Sequence, residues 1–90
     1  MGLDDLLDKV TGFFDLSADD LLRRGRRNRQ AEARELFCFL AVRCLHHPGA
    51  KVALLLNMGA PSVSRAVQRG EKLVAARPEV RQWWEAQKKQ

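Results

Sequence analysis

The chain has 90 residues, 46% of them apolar, which suits one small hydrophobic core and leaves no room for a second. It contains no apolar run of about 18 residues, and its first segment, MGLDDLLDKV, is acidic where a signal peptide requires basic residues. The sequence therefore predicts a single cytoplasmic domain with no membrane span.

Charge is unevenly distributed along the chain. Residues 1–20 carry six Asp and one Lys, a net charge of −5, whereas residues 21–90 carry 15 Lys and Arg against five Glu, a net charge of +10. A strongly basic surface is typical of proteins that bind nucleic acid. A membrane surface is a weaker candidate, because no predicted helix combines a Lys/Arg-rich face with a broad Trp/Phe/Leu face.

The first elements in chain order are two helices and a basic segment. Apolar residues recur every three or four positions from Leu3 onward and predict an amphipathic helix that ends between Gly12 and Phe14. Ser17 with Asp20 resembles a capping box that starts a short helix ending at Gly25. The segment RRGRRNR, here called the basic joint, then places five arginines in seven positions: Arg23, Arg24, Arg26, Arg27 and Arg29.

Residues 29–45 predict a long central helix. One side of this helix is apolar, with Ala33, Leu36, Phe37, Leu40, Ala41 and Cys44. Phe39 and Val42 lie among the polar residues of the opposite side, so we expect neighbours on more than one face. Pro48 disfavours helix at His47 and ends the element.

Three further helices are predicted over residues 50–56, 61–76 and 79–88, with Pro78 at the start of the last. No run alternates apolar and polar residues for long enough to suggest a strand. The predicted fold is an all-α bundle of five to six helices. We expect residues 1–76 to form the functional domain and residues 77–90 a helical tail.

Residues 50–76 have the spacing of a helix-turn-helix. Ala53 is small enough to let the two helices approach, and Asn57 tolerates the left-handed conformation that usually requires Gly in the turn. Val63 and Val67 face inward with other apolar residues of the second helix. Its outer face carries the donors that read base edges and hold phosphates: Ser62, Ser64, Arg65, Gln68, Arg69 and Lys72. The start of the helix, from Pro61 to Ser64, also offers free backbone amides to a phosphate. The alternative is that this face is only solvated.

The order of these elements resembles the C-terminal DNA-binding domain of the bacterial replication initiator DnaA, a member of the Trp-repressor-like superfamily. The resemblance spans residues 6–74 and is carried by SADDLL, RRGRRNR, EARELFCFLAVR and VALLLNMGAPSVSRAV. It is closer still to the DnaA-like C-terminal regions of transposases associated with repetitive extragenic palindromes. The fold implied is a helix-turn-helix bundle, and the partner implied is double-stranded DNA.

This resemblance also implies contacts for the basic joint. Arg26, Arg27 and Arg29 would reach phosphate and the minor groove, and Arg34 would contact the backbone from the start of the central helix. The initiator family has an Asp-His pair where this chain has Gly59 and Ala60. Binding to the initiator's own recognition box is therefore not expected.

The sequence predicts no catalysis, no cofactor and no metal. The related transposases use a Tyr nucleophile and a His-hydrophobic-His metal site, whereas this chain contains no Tyr and its two histidines, His46 and His47, are adjacent. Zinc on these histidines and Cys44 would lack a fourth ligand, and no phosphate-binding loop of the Gly-x-x-x-x-Gly-Lys-Ser/Thr type is present. Cys38 and Cys44 are interpreted as buried thiols.

The tail presents two large aromatic residues, Trp83 and Trp84, which we expect to pack on Leu73, on Val74 or on the first helix. The alternative is that they bind a protein partner or a second copy. In that case the chain would be a helical interaction or regulatory adaptor that uses either the Trp-bearing tail or the acidic first helix. A further possibility is that the chain is the targeting domain of a larger transposase-like protein.

Overall fold

The computed structural model describes residues 1–22 and 28–88, and every regular element in these ranges is helical. The elements are α1 (Leu3–Phe14), α2 (Ala18–Leu22), α3 (Asn28–Phe39), a π segment (Leu40–Cys44), α4 (Gly49–Leu56), α5 (Ala60–Ala76) and α6 (Pro78–Lys88). The predicted all-α bundle of five to six helices is therefore confirmed. No described helix combines the length and the apolar character needed to cross a membrane.

The two N-terminal helices have well-defined ends. α1 stops at Asp15, which has a left-handed backbone (φ 57°), and the N–H of Leu16 donates to the Thr11 carbonyl at 2.8 Å. The expected capping box is confirmed: Asp20 N–H donates to Ser17 Oγ at 3.2 Å, and Ser17 N–H donates to Asp20 Oδ2 at 3.0 Å. The predicted end of this helix at Gly25 lies outside the described residues, as does most of the basic joint.

The central helix buries the residues that its periodicity selects, but its last turn is wider than predicted. The apolar residues Ala33, Leu36, Phe37, Leu40 and Ala41 are fully buried. From Leu40 the chain is π-helical, and the carbonyls of Leu40 and Ala41 accept hydrogen bonds from the N–H groups of Leu45 and His47. These wide turns satisfy carbonyls that an α-helix would leave unpaired where Pro48 stops it.

The core of the molecule lies mainly between α3 and α5, which cross at very close range. A Cβ atom added to Gly70 would lie 2.1 Å from the Glu35 carbonyl oxygen and 2.6 Å from Phe39 Cβ. A glycine at this position therefore lets the two helix backbones touch. Three ion pairs flank the contact: Arg69 with Glu35, Arg77 with Glu32, and Arg43 with Glu71.

α4 and α5 are joined by a turn of three residues, Asn57, Met58 and Gly59. Asn57 is left-handed (φ 53°, ψ 48°), as its residue type predicts. The N–H of Met58 donates to the Ala53 carbonyl at 2.9 Å and closes the end of α4. This turn holds the start of α5 clear of the core, so that its first residues are exposed.

α6 closes the bundle by packing against α1 as well as α5. Val80 and Trp84 belong to the same buried cluster as the residues of α3, and only 3% of Trp84 is exposed. The Trp83 ring lies 4.7 Å from the Phe13 ring, measured between centroids, with 36° between the planes. The expectation that the tryptophans pack on the first helix is thus confirmed for Trp83.

Candidate nucleic-acid interface

The outward side of α5 carries the polar residues that the helical period assigns to it. We call this surface the α5 face; it comprises Pro61 in the first turn and six polar residues, all of them exposed: Ser62, Ser64, Arg65, Gln68, Arg69 and Lys72. The opposite side of the helix buries Val63, Ala66, Val67 and Gly70. α5 therefore separates a buried apolar side from a polar side that bears three positive charges.

The N-terminus of α5 is open to a ligand. Its N-cap is Gly59, which has an extended backbone and no side chain with which to cap the helix, and Pro61 occupies the first turn. The helix dipole concentrates partial positive charge at this end, on first-turn N–H groups that lack a helical acceptor. An anionic group is accommodated well at such a terminus.

Arginines from two different helices converge beside this terminus. Arg34 of α3 lines one open pocket of about 230 Å³ together with Arg65 and Arg69 of α5, and we call it the arginine pocket. Its remaining lining residues are Ala31, Glu35, Met58, Ser62 and Ala66. The sequence predicted Arg34 and Arg65 as separate contacts, and only the packing of α3 against α5 brings them to one place.

Glu35 is part of this pocket and was not predicted as a site residue. Its carboxylate Oε2 lies 3.7 Å from Arg69 Nη1, and its side chain is 19% exposed. Burial raises the pKa of Glu35 above the ordinary value of 4.5, and Glu32 raises it further, while Arg69 and Arg34 lower it. The periodicity places Glu35 among outward polar residues, and nothing in the sequence pairs it with Arg69.

A second depression lies on the other flank of α5. It has a volume of about 390 Å³, and Ser64 and Gln68 line it on the α5 side. Its other walls come from the π segment, the start of α4 and the buried side of α5: Val42, Arg43, Gly49, Ala50, Ala60, Val63 and Val67. α5 is therefore a ridge with a depression on either side.

Two of the predicted arginine contacts, Arg29 and Arg34, form intramolecular hydrogen bonds, and two others lie outside the described part of the chain. The guanidinium of Arg29 donates to the Phe14 carbonyl at the end of α1, although the residue is exposed. Arg34 Nη1 donates to the Leu21 carbonyl at 3.4 Å. These two arginines link α3 to α1 and α2. Arg26 and Arg27, which the resemblance implies as loop contacts, lie outside the described residues.

The cysteines and histidines form no cluster near the α5 face. In the described ranges, no group of three or more His, Cys, Asp and Glu residues is placed to hold a metal ion. Cys38 is buried, and burial raises the pKa of its thiol to about 12; Cys44 is half-buried, and burial raises its pKa as well. His47 Nε2 lies 3.1 Å from the Met1 carbonyl oxygen.

Comparison of the chain with protein-family models, with curated proteins and with solved structures finds no match. The chemistry of the α5 face and the arginine pocket must therefore indicate what they bind. Both combine guanidinium groups with hydroxyl groups, and Gln68 adds a side-chain amide. These groups suit anions and the edges of nucleotide bases.

Proposed function

We propose that this chain is a non-catalytic module that binds double-stranded DNA. In this proposal α4, the three-residue turn and α5 act as a helix-turn-helix, and α5 lies in the major groove. The main support is the arginine pocket, which Arg34 of α3 lines together with Arg65 and Arg69 of α5, near the open N-terminus of α5. DNA offers a regular array of phosphates next to a groove that admits one α-helix.

The dimensions of α5 agree with this role. Its 17 residues make a helix about 25 Å long, and it stands as a ridge between two depressions. When such a ridge enters a groove of about 12 Å width, the flanking depressions leave space for the two phosphate backbones. The buried side of α5 stays on α3 throughout, so the helix needs no rearrangement to bind.

The residues of the α5 face divide between base reading and phosphate binding. Arg65 can take a guanine through two hydrogen bonds, Gln68 can take an adenine in the same way, and Ser64 can bond either. Arg69 and Lys72 lie further along the helix and would bind phosphates. Arg34, Pro61 and Ser62 would contact the phosphate that lies nearest the start of α5.

The basic joint would add affinity without reading sequence. Arg26, Arg27 and Arg29 are proposed to hold phosphate or the minor groove, as the resemblance to the initiator domain implies. A guanidinium has five N–H donors, so the bond from Arg29 to the Phe14 carbonyl leaves others for a phosphate. Arg27→Ala is therefore expected to weaken binding to specific and random duplexes alike.

The experiment that tests this function is the selection of bound sequences from a random duplex pool, followed by titration of the selected and random duplexes. Arg65→Ala should weaken the selected complex by roughly 1 to 3 kcal/mol and relax the preference at one base pair. Arg81→Ala is the matched control, because it removes an exposed arginine from α6 that lines neither depression.

Two results would overturn the proposal. One is the absence of binding to any duplex at moderate salt, which would favour a protein-interaction adaptor. The other is an equal loss of affinity in Arg65→Ala and Arg81→Ala, since that would show a general charge effect in place of a recognition helix.

A further inference from the structure

A second distinctive surface lies where the start of α1 meets α4. An open groove of about 710 Å³ separates the two helices, and we call it the α1–α4 groove. It is lined by Gly2, Leu3, Asp4, Asp5, His47, Lys51, Leu54 and Leu55. None of these residues belongs to the α5 face or lines the arginine pocket.

The groove exposes one large apolar side chain, that of Leu54, to solvent. In the described part of the chain, only Met1 and Leu54 are large apolar residues classed as exposed, at 45% and 83%. Leu54 is flanked in the groove by Leu3 and Leu55, which are half-buried. α4 attaches to the core through Val52 and Leu56, so the fold makes no use of Leu54. Leu54 is therefore an exposed apolar side chain in a groove whose other leucines, Leu3 and Leu55, pack against the core.

The two edges of the groove carry opposite charges. Asp4 and Asp5 lie exposed on the α1 edge, and Lys51 lies exposed on the α4 edge. None of the three forms an ion pair with another described residue. The aspartates favour the N-terminus of α1 by opposing its dipole, whereas Lys51 near the N-terminus of α4 has no such role in its own helix.

We infer that the α1–α4 groove is the interface of a symmetric homodimer. A twofold axis beside Leu54 places the Lys51 edge of each copy against the Asp4 edge of the other, and Leu54 packs against its symmetry mate. A foreign partner of one charge would leave one edge unmatched, whereas a second copy matches both edges. The dimer leaves both α5 faces open, an arrangement that suits two half-sites on one duplex.

Charge reversal tests this pairing directly. Lys51→Glu and Asp4→Lys should each abolish the dimer, because like charges then face each other twice across the axis. An equimolar mixture of the two variants should recover it as a heterodimer, in which both contacts again join opposite charges. Asp19→Lys, which reverses an exposed aspartate in the first turn of α2, is the matched control and should dimerise normally.

The measurement is molar mass by sedimentation equilibrium, without DNA, from roughly 10 μM to 1 mM protein. The weight-average mass of the wild type should rise toward that of the dimer as concentration increases, and Leu54→Asp should stay monomeric with unchanged helical circular dichroism. A wild-type monomer at every concentration would overturn the inference. So would a dimer that both charge reversals leave intact, or a mixture that fails to recover it. Failure here leaves the proposed DNA binding untouched, since no DNA is present.

Discussion

Gly70 lies where α5 crosses α3, and a larger residue there would force the two helices apart. The helical period already places it on the core side of α5, and the structure adds that its Cα faces the backbone of Glu35. The sequence shows a glycine inside a helix, which ordinarily weakens that helix. Only the tertiary contact explains its presence, because the partner backbone is 35 positions away in the chain.

Gly70→Ala should therefore destabilise the fold. Alanine favours an isolated helix by about 1 kcal/mol, but a Cβ atom 2.1 Å from the Glu35 carbonyl oxygen cannot be accommodated without moving backbone. We expect a net loss of about 1 to 3 kcal/mol in the free energy of unfolding, measured by urea denaturation. Gly12→Ala is the control: its Cβ would meet no atom within 4 Å, so this substitution should be neutral or stabilising.

Glu35 should give a measurable pH dependence of stability. Because its pKa in the folded state is raised above 4.5, the folded chain holds this proton more tightly than the unfolded chain does. The contribution of Glu35 to the free energy of unfolding is therefore fully present below the pKa of the unfolded state. It is lost as pH rises through the pKa of the folded state.

Glu35→Gln removes this effect. The stability of the wild type relative to Glu35→Gln should fall as pH increases from the ordinary pKa of 4.5 through the raised folded-state pKa, in urea titrations at each pH. Glu79→Gln, an exposed position in the first turn of α6, serves as the control for loss of one carboxylate. A difference between wild type and Glu35→Gln that is constant with pH, or that rises, would contradict the raised pKa.

At the scale of the elements, periodicity and capping residues predicted most helix bounds to within one or two residues. α4 and α5 begin at Gly49 and Ala60, one residue before the predicted starts at 50 and 61. The first residue of each helix precedes the apolar pattern from which the start was predicted. The π segment at Leu40–Cys44 was not predicted. A single wide turn leaves no trace in a 3.6-residue period, and it depends on which carbonyls find donors after the helix stops.

The turn between α4 and α5 allows a test of element geometry. Asn57 is left-handed, so a β-branched residue should strain the backbone there by roughly 1 to 2 kcal/mol. Asn57→Val should lower the midpoint of thermal unfolding and weaken DNA binding, since it disturbs the angle between α4 and α5. Asn57→Gly should retain the wild-type unfolding midpoint and the wild-type affinity for DNA. If Asn57→Gly instead lost as much as Asn57→Val, the Asn side chain and not the left-handed backbone would be responsible.

At the scale of the whole molecule, the excess of positive charge in residues 21–90 should govern the affinity for DNA. If about five phosphates are neutralised by the α5 face, Arg34 and the basic joint, the logarithm of the affinity should fall with the logarithm of salt concentration at a slope near −4 to −5. Fluorescence anisotropy with a labelled random duplex over a series of KCl concentrations measures this slope. A flat response would exclude phosphate neutralisation as the source of affinity.

Sequence alone determined the all-α class, the order of the helices, the core side of α5 and the polar residues of its outer side. These features are local, since they follow from helical periods, caps and turn residues within a few positions. Tertiary structure alone decided that Arg34 shares a pocket with Arg65 and Arg69, that Glu35 pairs with Arg69, and that Leu54 is exposed beside unpaired charges. These relations join residues far apart in the chain, and they depend on how closely α3 and α5 approach and how α1 meets α4. No local pattern encodes those distances.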